Sequence, residues 1–169
     1  NTTGSGNIAI GDYALDANTT AAYNTAVGYS ALSANTTGAG NTGLGKSALQ
    51  TNNTGANNTA IGLASMLSNT TASDNTALGT SSLHDNTTGA NNTAIGRQAL
   101  RYSTTAANNT AVGKDALYST TTGADNTSVG SGAMITNTTG ASNAAFGKDS
   151  LFANTTGSDN VALGKAALY

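Results

Sequence analysis

The nine residues T-G-A-N-N-T-A-I-G fill positions 54–62, and the same nine recur at 88–96, 34 residues later. That interval is two steps of a shorter period. The glycine closing each N-T-A-V/I-G-like word stands at Gly11, Gly28, Gly45, Gly62, Gly79, Gly96, Gly113, Gly130, Gly147 and Gly164, always 17 residues apart. Ten copies pass without an insertion or deletion. Duplication alone leaves copies free to drift in length, so a geometric constraint underlies the period.

Counted from its Asn, each unit reads N-T-A-V/I/L-G-x-x-A/S-L-x-x-N-T-T-G-A-x, and residues are placed below by their position in this 17-residue unit. Position 1 is Asn throughout: Asn7, Asn24, Asn41, Asn58, Asn75, Asn92, Asn109, Asn126, Asn143 and Asn160. Position 4 is always apolar, from Ile10 to Leu163. Position 8 is Ala or Ser, position 9 is Leu or Met, and position 14 is Thr in every unit.

Helices do not suit this text. Glycines at positions 5 and 15 cost roughly 1 kcal/mol each against Ala in a helix interior, and β-branched Thr is clustered between them. T-A-V and A-L read instead as short strands, with x-N-T-T-G-A as the turn. The expected fold is therefore all-β, a parallel β-solenoid of ten 17-residue rungs forming a single domain over 1–169. Stacked rungs rise about 4.8 Å each, so every residue sits above its own copy. On this reading positions 4 and 9 form interior ridges, Asn at position 1 links amide to amide along the axis, and Thr at position 14 builds a hydroxyl ladder. Glycine at position 5 serves a positive φ or a close backbone approach.

Such a core is thin, which predicts association into a homo-oligomer, side by side or end to end. Both termini fall in mid-unit without a polar capping repeat, as expected of a length of a longer fibre or a filament subunit. Position 10 turns apolar late in the chain, at Tyr118, Ile135, Phe152 and Tyr169, a stripe suited to facing a partner.

Composition excludes several classes. The chain has no Pro, Cys or Trp, only 8% charged residues and a net charge of −2. No basic face is available for nucleic acid, and no apolar run approaches the ~18 residues of a membrane-spanning helix. Without Cys there are no disulfides or thiolate metal sites. Catalytic, cofactor and metal residues are not expected: the acids are scattered, His84 is a lone surface histidine, and no phosphate-binding loop or calcium repeat is present. Charges sit in variable columns, with Lys46, Arg97, Lys114, Lys148 and Lys165 at position 6, Asp115 and Asp149 at position 7, and Asp74, Asp125 and Asp159 at position 17. They read as a wetted face or as lateral pairing between chains.

The word DNTALG at 74–79, NNTAIG at 57–62 and 91–96, and DNVALG at 159–164 resemble the N-S-V-A-I-G word in the head repeats of YadA-like trimeric autotransporter adhesins. The words also resemble the shaft repeats of bacteriophage tail fibres. The resemblance covers all ten units and implies a left-handed parallel β-roll, trimeric packing, an extracellular location on a cell surface, secreted filament or virion, and adhesion to a cell-surface or glycan receptor. Where the family has an apolar residue two before the aliphatic, this chain has mostly Thr, as at Thr25, Thr59 and Thr93.

Two further expectations concern Asn and Thr. N-x-S/T sequons fall at position 12 in Asn1, Asn18, Asn35, Asn52, Asn69, Asn86, Asn137 and Asn154, a row either of turn residues or of glycosylation sites. Stacked Thr columns at positions 2, 13 and 14 give the alternative function, ice binding.

Overall fold

The computed structural model describes all of residues 1–169. It contains no helix. Ten three-residue strands follow one another: β1 (Ile8–Ile10), β2 (Thr25–Val27), β3 (Thr42–Leu44), β4 (Thr59–Ile61), β5 (Thr76–Leu78), β6 (Thr93–Ile95), β7 (Thr110–Val112), β8 (Thr127–Val129), β9 (Ala144–Phe146) and β10 (Val161–Leu163). They form one parallel sheet in sequence order, and each residue pairs with the one 17 along, as in Ala60 with Ala77 and Ala77 with Ala94. The chain is the β-solenoid its period predicts.

Each rung has one strand, not two. The A-L pair at positions 8 and 9 belongs to turns. The N–H at position 8 donates to the carbonyl at position 5 of its own rung, as Ala99 does to Gly96 at 3.3 Å, and the N–H at position 12 donates to position 9, as Asn52 does to Leu49 at 3.1 Å. Positions 7 and 9 are both left-handed, shown by Gln98 at φ 59° and Leu100 at φ 52°. That alternation folds the chain sharply and excludes an extended A-L segment. A bulky residue in this region is strained by roughly 1–2 kcal/mol. Burying the Leu side chain returns about 1.5–3 kcal/mol, which offsets the strain.

Cohesion between rungs comes mainly from these turns. Of 108 backbone hydrogen bonds, only 18 lie within the strand ladder. Many of the remainder join rung to rung all around the circuit, for example Leu49 N–H to Ser65 O at 3.0 Å and Thr51 N–H to Leu67 O at 3.1 Å.

The core is one side chain wide. It consists of the Leu/Met column at position 9 with the small residues of positions 3 and 8, such as Leu100, Ala94 and Ala99. Position 9 thus forms an interior ridge as anticipated, but position 4 does not. Ile10, Leu44, Leu78, Ile95, Phe146 and Leu163 are exposed, and Val27, Ile61, Val112 and Val129 are half-buried. The reason is the two-residue alternation of a strand: Ala at position 3 points inward, so positions 2 and 4 both point out. The inner space already holds the Leu at position 9, which leaves room only for Ala.

Position 5 accepts only glycine. Gly96 has φ +128°, and a Cβ there would lie 2.5 Å from the carbonyl oxygen of Gly113 in the next rung. Both the dihedral and the approach exclude a side chain. Gly96→Ala is expected to destabilise the rod by about 3 kcal/mol or more. Gly164→Ala, where a Cβ meets nothing within 4 Å, carries only the dihedral penalty. Chemical denaturation of the two variants measures the difference.

Candidate functional site

The polar interior is built by two Asn columns. At position 1, the side-chain oxygen of each Asn accepts the backbone N–H of the Asn in the next rung: Asn24 to Asn7 at 2.9 Å, Asn41 to Asn24 at 2.8 Å, Asn92 to Asn75 at 2.8 Å. In most rungs its amide nitrogen donates to the carbonyl at position 15, as Asn41 does to Gly55 at 2.8 Å and Asn92 to Ala106 at 2.8 Å, while Asn75 turns to the Ser73 carbonyl. The ladder expected at position 1 is present, and its principal rungs are side chain to backbone. The reason is that the N–H of position 1 points at the rung before it and has no strand partner there.

Amide-to-amide stacking is regular instead at position 12. Asn35 donates to Asn18 at 3.2 Å, Asn52 to Asn35 at 2.8 Å, Asn69 to Asn52 at 2.7 Å and Asn86 to Asn69 at 3.1 Å. Each also closes its own turn by donating to the carbonyl at position 15, as Asn52 does to Gly55 at 2.9 Å. The two columns therefore converge on one acceptor: Gly55 O receives both Asn41 and Asn52.

This placement favours the turn reading of the sequons over glycosylation. Asn18, Asn35, Asn52, Asn69, Asn86 and Asn137 are buried, with at most 2% of their surface exposed, and each amide nitrogen that would carry sugar is occupied by hydrogen bonds. Asn154 is half-buried and bonded in the same way, and only Asn1, in the first rung, is exposed. A sugar on the inner six requires opening the rod. Position 12 is turn and ladder chemistry.

The Thr columns also separate. At position 13 the hydroxyl donates to the carbonyl of the same position one rung on, as Thr87 does to Thr104 at 3.0 Å and Thr138 to Thr155 at 2.9 Å. The ladder expected at position 14 is therefore displaced by one residue, because the position 14 side chain is turned outward. Thr20, Thr54, Thr88 and Thr122 at that position are exposed.

The outer sheet face pairs a Thr-rich column at position 2 with the aliphatic column at position 4. Beside it, acids and bases at positions 6 and 7 meet within the chain, with Lys114 3.3 Å from Asp115 and Lys148 against Asp149. At position 10, Tyr118, Ile135 and Phe152 are half-buried and Tyr169 is exposed, with Phe152 and Tyr169 stacked at 4.9 Å between centroids. The stripe is thus continuous along the rod in these rungs, partly shielded by its own stacking. His84 does not stand alone, for its Nδ1 lies against the carboxylate of Asp85.

No group of three His, Cys, Asp or Glu gathers anywhere on the rod, no cavity opens in it, and no helix is long and apolar enough to cross a membrane. No family model, curated protein or solved structure matches the chain.

One missed feature lies in the position 12 column. It is broken at Ser103 and Thr120, and there Asn86 Oδ1 and Ser103 Oγ are buried without a partner. Ser103→Asn supplies an amide to Asn86 and is expected to stabilise the rod by about 1 kcal/mol or more, whereas Asn52→Ala, which strips an intact ladder, destabilises it by about 2 kcal/mol. Thermal melts of both variants report the signs.

Proposed function

We propose that the chain is a structural repeat segment of an extracellular fibre or filament, of adhesin or tail-fibre type, that associates with further copies of itself through the outer face of its sheet. The observation carrying this reading is the uninterrupted column of apolar side chains at position 4. Ile10 is 60% exposed and Leu78 45%, and all ten rungs contribute a Val, Ile, Leu or Phe to the same line. A continuous apolar line running the length of a rod is an interaction surface, unlike isolated exposed hydrophobics. A second copy of the same rod presents the same line at the same spacing, so it matches every residue of it in register. The resemblance of the N-T-A-I-G word to trimeric adhesin repeats supports a small number of rods packed abreast, and the stacked design supports a mechanical role.

Ice binding draws on the same face, since Thr at position 2 and the residue at position 4 flank an inward Ala. Side chains at position 4 range from Val112 to Phe146. Such variation is absorbed when chains repack against one another, but it roughens a surface that must match a lattice. Self-association is therefore the reading preferred.

Replacing Ile61 and Ile95 by Asp, on half-buried and exposed positions of the outer face, is expected to convert an oligomer to monomers while leaving the melting transition of the single rod in place. Sedimentation equilibrium measures this. A parent chain that is monomeric at high concentration overturns the proposal. A measurable thermal hysteresis in the parent chain selects the ice-binding alternative.

A further inference from the structure

The Asn column at position 12 is interrupted at one place. Eight of ten residues at position 12 are Asn, and the two that are not, Ser103 and Thr120, occupy adjacent rungs. Those same rungs carry Arg101 and Tyr102, and Tyr118, at positions 10 and 11. The ladder is thus given up where side chains of distinctive chemistry are placed. Each buried polar atom left unpaired costs about 1–3 kcal/mol. Sequences that otherwise obey their own rules break them chiefly at functional positions.

The side chains form a cluster. The rings of Tyr102 and Tyr118 meet edge to face with centroids 5.0 Å apart, and the Tyr118 hydroxyl donates to the Tyr102 hydroxyl at 3.5 Å. The Arg101 guanidinium lies 5.5 Å from the centre of the Tyr102 ring. Arg101 takes part in none of the three ion pairs; its Nε is buried without a partner, which leaves the terminal nitrogens to face a ligand. His84 and Asp85 occupy the same two unit positions one rung earlier. The hydrogen bond from Tyr118, together with Arg101, holds the Tyr102 phenol below the ordinary tyrosine range, which strengthens it as a donor.

We propose that Arg101, Tyr102 and Tyr118 form a binding site for a carboxylated sugar, such as a uronate or sialate residue within a longer glycan. A guanidinium without a protein carboxylate matches a ligand carboxylate with two parallel hydrogen bonds. An exposed tyrosine ring offers a flat apolar face to the C–H face of a pyranose and a hydroxyl to its polar edge. The nearby acids have partners of their own. Asp85 is engaged by His84 and Asp115 by Lys114, so neither acid is paired with Arg101. The surface is open, which suits a chain lying along the rod. This site is on positions 10 and 11, off the outer sheet face, so it stands independently of self-association through positions 2 and 4.

Calorimetric titration of the 169-residue chain with oligogalacturonate and with 3′-sialyllactose tests the site, using methyl-esterified oligogalacturonate and lactose as neutral counterparts. At least one carboxylated probe is expected to bind, with its neutral counterpart weaker by about tenfold or more, the scale of a charge-assisted hydrogen bond. Arg101→Gln and Tyr102→Ala are each expected to lose a similar factor. Arg101→Lys keeps the charge without the planar fork and falls between, which preserves the comparison should the Gln variant melt early. Binding by neither acid, equal binding of acid and neutral probes, or unchanged affinity in both Arg101 variants overturns the proposal.

Discussion

The rod depends on satisfying polar backbone in a core too narrow for a second strand. After the turn at positions 9–12 the chain returns to its strand through five residues, whose backbone groups bond largely to neighbouring rungs and whose position 15 carbonyl the Asn side chains cap. Unpaired, each would cost about 1–3 kcal/mol, more than the small core can absorb repeatedly. Asn is the short side chain that carries a donor and an acceptor together, and in most rungs two columns of it meet on one carbonyl. Asn24 and Asn35 on Gly38 O, at 3.0 and 2.9 Å, show the arrangement. Because each Asn also bonds its counterpart one rung away, no rung can change its length without breaking several bonds above and below. The uninterrupted period of 17 follows from that.

The same stacking explains why strained backbone is tolerated. Every rung carries left-handed residues at positions 7, 9 and 17, as at Ser81, Leu83 and Asp74. The turns they make bring carbonyls and N–H groups into line with those of the next rung, so local strain is exchanged for bonds along the axis. Leu at position 9 is the sharpest case, since it is disfavoured in this conformation and yet buried in every rung but the last. At position 5 the requirement is stricter, because the backbones of successive glycines approach until no Cβ fits between them.

Much of this was legible in the sequence, and what was not has a physical cause. Strict spacing of Gly and Asn indicated stacked rungs, and Leu at position 9 indicated the core, because those columns never vary in kind. Orientation was harder. A strand of three residues has too little alternation to show which face is inside, and the usual rule that aliphatic side chains go inward placed Val27 and Ile95 wrongly. The informative residue was the modest Ala between them, small because Leu at position 9 occupies the space it faces. Asn at position 12 misled differently. N-T-T matches a glycan acceptor as well as an inward turn, and only the third residue beyond it, Gly or Ala at position 15, marks the carbonyl that the amide caps. The patch at Arg101, Tyr102 and Tyr118 lies in variable columns, where a repeat pattern carries no information. Its signal was the loss of Asn at 103 and 120.

A repeating rod of this kind divides its residues by what they may change. Inward columns are fixed by their neighbours above and below, since stability in such arrays is largely a sum of nearest-neighbour terms. Outward columns at positions 6, 10 and 11 lie outside the core, so they can differ rung by rung without disturbing the fold, whereas position 17 is restricted by its left-handed backbone. The outer face at positions 2 and 4 is intermediate: apolar throughout at position 4, but free in size. That gradation separates the demands on the chain. Inward columns hold the shape, the uniform outer face can serve contacts that repeat along the whole rod, and the free columns can address one location. Arg101 and Tyr102 belong to the last group, and the amide ladder is broken beside them, so an inward column departs together with an outward one there.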